Sequence, residues 1–164
     1  MGDRLTELFM RLRGGDDSVF AEIYGEVKKP VYIIIYRIVG NHETAEEIMQ
    51  ELFLKLYKAP PEEMTNPKGW IFTCARNLAI DAVRKRRPDT SEEEPHTSGE
   101  AERITDKIDI ERAIAGLSCG EREVLSLYVN AGLTFEEISQ ITGASRSAVY
   151  RTYRRALKAL RKQL

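Results

Sequence analysis

Residues 134–160 read TFEEISQITGASRSAVYRTYRRALKAL, and this stretch decides the fold of the C-terminal part of the chain. Thr134 and Glu137 have the spacing of a capping box, in which the two side chains satisfy free backbone groups at a helix start. A brief helix, a turn at Gly143 and a long helix from Ser145 are predicted to follow. Two helices joined by a tight glycine turn are typical of a helix-turn-helix.

The long helix is strongly basic, since residues 146–162 include seven Lys or Arg and no Asp or Glu. Basic side chains near a helix C-terminus suit the helix dipole, but that effect reaches only the last turn, which excludes Arg146 and Arg151. The pattern therefore favours DNA binding over a merely solvated face, with early residues near base edges and later ones near phosphates. The residues predicted to face DNA are Arg146, Ser147, Tyr150, Arg151, Arg154 and Arg155.

The N-terminal part has the same helical period. Apolar residues in 45–56 and 71–82 recur at steps of three and four, as in amphipathic helices. Gly40, Pro60 and Pro67 mark helix ends between these segments. No long segment alternates with the period of two that a half-buried strand would show. The N-terminal part is therefore predicted to be a bundle of four helices.

A short acidic segment separates the two parts. Residues 88–108 contain seven acidic and two basic side chains, and the helical period fails there, which predicts a flexible linker. The net charge of the whole chain is only -1, so overall charge does not argue for DNA binding. The predicted fold is all-α, with two small helical domains at 1–87 and 108–164 joined by a flexible acidic linker at 88–107.

Several function classes are disfavoured. The longest apolar run, Val31 to Tyr36, has six residues, whereas a membrane helix needs about 20, so we predict a cytoplasmic protein without membrane insertion. Cys74 and Cys119 form no CxxC pair, and neither histidine has partners at ligand spacing. We therefore predict no metal, no cofactor and no enzyme activity. Cys119 is interpreted as a small residue after a helix cap, with a redox-active thiol as the alternative.

Two N-terminal segments contain polar, aromatic and basic residues that packing of a helical core does not explain, and these residues are candidates for binding. Residues 45–56, AEEIMQELFLKL, combine an apolar stripe with a polar face that is either solvated or docks another protein. Residues 67–87, PKGWIFTCARNLAIDAVRKRR, place aromatic residues ahead of a basic cluster. Basic residues bind phosphate and exposed aromatics stack on unpaired bases, although Trp70 and Phe72 are more often core residues.

Three stretches in this order resemble sigma factors of the extracytoplasmic-function (ECF) group of the sigma-70 family. Residues 20–53, FAEIYGEVKKPVYIIIYRIVGNHETAEEIMQELF, are similar to the family's first conserved region and polymerase-binding helix. Residues 70–87, WIFTCARNLAIDAVRKRR, resemble the element that reads and melts the minus-ten promoter element. Residues 117–160 resemble the domain that reads the minus-thirty-five element. Three such segments around an acidic linker are a more specific signal than a helix-turn-helix alone.

The resemblance implies a sigma factor that binds RNA polymerase core and directs promoter-specific initiation, with an anti-sigma factor as an expected partner. The residues that would bind polymerase are Glu47, Gln50, Glu51 and Leu54. The residues that would recognise the minus-ten element are Arg76, Asn77, Ile80, Asp81 and Arg84. The loop between Tyr57 and Lys68 would hold an extruded base, and the linker would run through polymerase channels.

The chain departs from the family pattern in the C-terminal domain. Leu117-Ser118 stands where Leu-Pro is usual, and Ser147-Ala148-Val149 stands where Gly-Thr-Val is usual. The helices should tolerate these residues, but the promoter preference of the group does not transfer. Two alternatives remain. A conventional helix-turn-helix regulator would bind duplex DNA without polymerase, whereas an interaction protein with a solvated basic helix would not bind DNA.

Overall fold

A computed structural model describes residues 2–60, 66–86 and 105–163, and these parts of the chain are helical with no strand. This confirms the all-α prediction, and the apolar run from Val31 to Tyr36 lies inside a helix. The helices are α1 (Gly2–Arg13), α2 (Phe20–Val39), α3 (His42–Lys58), α4 (Pro67–Arg86), α5 (Thr105–Ala115), α6 (Cys119–Val129), α7 (Phe135–Thr142) and α8 (Arg146–Gln163), with a 3-10 helix at Asp17–Val19.

The chain forms two compact units, Met1–Val83 and Arg84–Leu164. In the first, α2 and α3 pack along each other, and α1 and the 3-10 helix pack against α2. Gly40 ends α2 in the left-handed conformation, and the Asn41 side chain accepts a hydrogen bond from the Thr44 amide at 3.0 Å to start α3. This two-residue connection makes the two helices a helical hairpin.

The predicted apolar stripe of α3 is confirmed. Its six residues are all buried, namely Ala45, Ile48, Met49, Leu52, Phe53 and Leu56. Burying a large aliphatic or aromatic side chain contributes about 1.5–3 kcal/mol. Since one side of α3 is held against the core, its opposite side must face solvent.

In the second unit, α5, α6 and α7 pack against α8. The predicted capping box at Thr134 is confirmed: the Glu137 amide donates to Thr134 Oγ1 at 3.1 Å, and the Thr134 amide donates to Glu137 Oε1 at 3.1 Å. Ser118 and Glu121 form a second capping box at the start of α6. Both helix starts are therefore set by local side-chain chemistry.

The predicted start of the second domain can be compared with the start of helix α5. Helix α5 begins at Thr105, three residues before the predicted start of the second domain at 108. Most of the predicted acidic linker, and the centre of the loop between Tyr57 and Lys68, lie outside the described residues. Those two predictions stay predictions.

The turn between α7 and α8 depends on Gly143, which has φ +79°. A Cβ there would meet nothing within 4 Å, so a substitution would cost only backbone strain, about 1–2 kcal/mol. Gly143→Ala is expected to lower the free energy of unfolding of this unit by that amount in urea titrations followed by circular dichroism. Gly120→Ala, where a Cβ in α6 also meets nothing, is the control. Equal losses in both variants would contradict the prediction.

Candidate protein and nucleic-acid interfaces

The solvent side of α3 brings four predicted docking residues together. Glu47, Gln50 and Glu51 are exposed, and Leu54 has an exposed fraction of 53%. Their steps of three, one and three residues place them on one side of a helix. We call these four residues the α3 surface. It combines carboxylates, an amide and an apolar side chain that remains available for a partner to cover.

Aromatic residues beside the α3 surface were missed by sequence reasoning. Tyr57, three residues beyond Leu54, is 47% exposed and donates a hydrogen bond to Asp17 Oδ2 at 3.3 Å. Its ring meets Phe20 edge-on with centroids 5.4 Å apart. Tyr24 of α2 is 40% exposed and packs against Phe53. Only the helical spacing of Tyr57 from Leu54 was visible in the sequence; the contacts with residues 17 and 20 were not.

The predicted minus-ten residues lie on the outward side of α4. Ile71, Phe72, Ala75 and Ala79 are buried on the other side, so Phe72 is a core residue. Asn77, Asp81 and Arg84 are exposed, Arg76 and Ile80 are half-buried, and Trp70 is half-buried as well. We call Arg76, Asn77, Ile80, Asp81 and Arg84 the α4 surface. Their spacing over two turns lets them contact one ligand strand together.

The two cysteines lie in different surroundings. Burial raises the pKa of the Cys74 thiol, an effect that the nearby Lys55 ammonium partly opposes. Cys119 is exposed at the first turn of α6, and Arg122 Nη2 donates to its Sγ at 3.2 Å. Since the thiolate is the reactive form, Cys74 should be the less reactive thiol.

Alkylation rates can distinguish the two cysteines. With excess iodoacetamide at pH 7.5, Cys119 is expected to be modified at least about tenfold faster than Cys74, because Cys74 is only partly exposed and burial raises the pKa of its thiol. Peptide mass spectrometry of quenched samples measures each rate. In urea the two rates should converge. Comparable rates in the folded protein would show that Cys74 is accessible.

The six predicted DNA-facing residues of α8 are all exposed. The helix begins after Ser145, whose Oγ accepts from the Ala148 amide at 3.1 Å. The preceding turn is held by two side chains: Ser139 Oγ donates to the Ala144 carbonyl at 2.6 Å, and the Ala144 amide donates to Thr142 Oγ1 at 3.3 Å. We call Arg146, Ser147, Tyr150, Arg151, Arg154 and Arg155 the α8 surface. A fixed turn sets the direction in which this surface points.

An aromatic cluster holds α8 against its neighbours. Tyr128 of α6 and Phe135 of α7 stack with centroids 4.7 Å apart and planes inclined by 7°. Phe135 also meets Tyr150 at 5.6 Å and Tyr153 at 5.4 Å, and both of these rings belong to α8. Sequence reasoning missed this cluster, because its members come from three helices.

Tyr150 links the cluster to the basic surface. It is 46% exposed, and Arg154 Nη1 donates to its hydroxyl oxygen at 3.2 Å. The Arg154 guanidinium also lies 5.9 Å from the centre of the Tyr150 ring, a cation–π distance. The pair therefore has a defined geometry on the α8 surface.

Residues 2–60, 66–86 and 105–163 contain no group of three His, Cys, Asp or Glu placed to bind a metal ion. Within the same ranges, no helix has the length and apolarity to cross a membrane.

Comparisons with known proteins agree along most of the chain. The family model of Sigma-70 region 2 matches residues 23–88, and that of Sigma-70 region 4 matches residues 113–162. The ECF RNA polymerase sigma factor SigW of Bacillus subtilis is 30% identical, covering 94% of this chain and 93% of SigW. SigK of Mycobacterium tuberculosis is 28% identical, covering 96% of this chain and 91% of SigK.

Solved structures support the same fold. The sigma factor RpoE in complex with the anti-sigma factor NepR from Bartonella quintana matches with a TM-score of 0.73 and 22% identity, covering 88% of this chain and 95% of RpoE. CnrH in complex with the cytosolic domain of CnrY matches with a TM-score of 0.70 and 18% identity, covering 94% of this chain and 93% of CnrH.

Proposed function

This chain belongs to the ECF sigma factors of the sigma-70 family, which direct RNA polymerase core to promoters, and we propose from this membership which of its surfaces performs each step. Sigma factors are non-enzymatic, so each role is a binding role. The observation that carries the assignment is the grouping of the predicted residues into three separate surfaces, on α3, α4 and α8.

The α3 surface is proposed to dock on the core polymerase, against the clamp helices of its largest subunit. A helix in a partner can contact residues spaced by three and four on α3, since these share one face. The half-exposed Leu54 would supply the apolar centre of the contact, and the flanking Glu47, Gln50 and Glu51 would supply a polar rim.

The α4 surface is proposed to recognise the minus-ten element while the duplex opens. Arg76 and Arg84 would contact phosphates, Asn77 and Asp81 can hydrogen-bond base edges, and Ile80 offers an apolar contact. Unstacking a base costs a few kcal/mol, which these contacts must offset. The α8 surface is proposed to read the minus-thirty-five element in the major groove, as helix-turn-helix recognition helices do.

Partners and location follow from the same proposal. Core polymerase and promoter DNA place the protein in the cytoplasm. RpoE, with a related fold, was solved in complex with an anti-sigma factor, and we infer that an anti-sigma factor also regulates this chain by covering its polymerase-binding surface. The alternative, a conventional regulator that acts without polymerase, is not favoured because Sigma-70 region 2 matches residues 23–88.

Run-off transcription tests the proposal. Purified core polymerase would be supplied with a pooled promoter library, with and without this protein, and with a variant that combines Gln50→Ala and Glu51→Ala. Start-site-specific transcripts should require the protein and should disappear with the variant. The control combines Glu7→Ala and Glu22→Ala, which removes exposed carboxylates from α1 and α2 and should leave the transcripts unchanged.

Two results would contradict the proposal. Duplex DNA binding without any core-dependent transcript would indicate a conventional regulator. Equal loss of transcripts in the control variant would show that the effect does not come from the α3 surface.

A further inference from the structure

Tyr150 differs from the other members of the α8 surface, because its ring is held in place. Phe135 meets the ring nearly edge-on, with planes inclined by 78°, and the Arg154 guanidinium lies over it. Even so, 46% of the residue is exposed. Its position in the second turn of α8 is one from which a recognition helix contacts base edges. A ring with this orientation presents its hydroxyl group in a defined place.

The hydroxyl has one proton that its contact with Arg154 does not use. A guanidinium group has no acceptor, so in this 3.2 Å hydrogen bond Arg154 donates and the Tyr150 oxygen accepts. The O–H of Tyr150 makes no second hydrogen bond within residues 2–60, 66–86 and 105–163. Accepting from a cation polarises a hydroxyl and makes it a stronger donor. The α8 surface therefore carries an oriented, neutral donor among its positive charges.

We propose that Tyr150 is a specificity-determining residue, which donates its O–H to an acceptor on one base of the minus-thirty-five element, with Arg154 as its positioning residue. The inference rests on the proposed function of the α8 surface. In the major groove, guanine presents two acceptors, adenine and thymine present one each, and cytosine presents only a donor amine. Tyr150 should therefore favour guanine most and cytosine least at the strand position that it faces.

A randomised minus-thirty-five library tests the inference in the intact holoenzyme. Each promoter carries a transcribed barcode that identifies its minus-thirty-five sequence, and the barcodes in the run-off transcripts are sequenced for the wild type and for Tyr150→Phe. This variant keeps the ring and its packing on Phe135 but removes the O–H. The wild type should show a preference against cytosine at one position. Tyr150→Phe should reduce that preference by about three- to tenfold, the ratio expected for one hydrogen bond, and leave other positions unchanged.

Tyr153→Phe is the matched control, because it removes a phenol hydroxyl from the same helix and the same aromatic cluster without touching the α8 surface. It should keep the wild-type preference at every position. Unchanged preferences in Tyr150→Phe, or equal flattening in both variants, would overturn the role of Tyr150. A wild-type library without any preference in this region would instead overturn the proposed function of the α8 surface, and this inference with it.

Discussion

Leu54→Arg is expected to weaken binding to core polymerase by about 30- to 1,000-fold, the ratio for losing a contact worth about 2–4 kcal/mol at the centre of an interface. Leu54 is 53% exposed, so its replacement should change the stability of the free protein little. Against a partner, however, the variant would bury an unpaired charge at the apolar centre of the α3 surface. Titration of core polymerase into protein labelled at Cys119 measures the affinity by fluorescence anisotropy.

Met10→Arg provides the control for this experiment. Met10 is 66% exposed on α1 and lies outside the α3 surface, so the same change in charge and size should leave the affinity for core within about twofold. If the two variants weaken binding equally, or if Leu54→Arg binds core like the wild type, then Leu54 is not at the centre of the polymerase contact.

Ile138→Ala should strongly destabilise the second unit. Ile138 is fully buried on α7, and truncating such a residue to alanine costs about 2–5 kcal/mol. A unit of this size has a total stability of roughly 4–12 kcal/mol. We therefore expect its melting temperature to fall by at least about 10 °C, with loss of minus-thirty-five-dependent transcription at 37 °C.

Ile110→Ala makes the same chemical change at an exposed site. Ile110 is 44% exposed on α5, so little apolar contact is lost and the melting temperature should move by only about 2 °C. Circular dichroism during heating measures both variants. A small shift for Ile138→Ala would mean that α7 contributes little to the core, and equal large shifts would mean that burial does not explain the difference.

Much of the candidate site could be predicted from the sequence because each surface lies on a single helix. Along one helix, spacing alone determines which side chains share a face. The four residues of the α3 surface, which the resemblance implied, and the six of the α8 surface are exposed together on their helices, as their spacing predicts. The same rule could not determine how far each residue of α4 would be exposed, and Arg76 and Ile80 are in fact half-buried.

The sequence by itself determined the helices and several of their ends, since capping boxes and turns form between residues a few positions apart. The apolar stripe of α3 also identified its buried face. Only the tertiary structure placed Tyr57 against Asp17, 40 residues away, and brought Tyr128, Phe135 and Tyr150 together from three helices. Contacts of this kind depend on how helices pack, and packing is decided by the whole core rather than by local spacing.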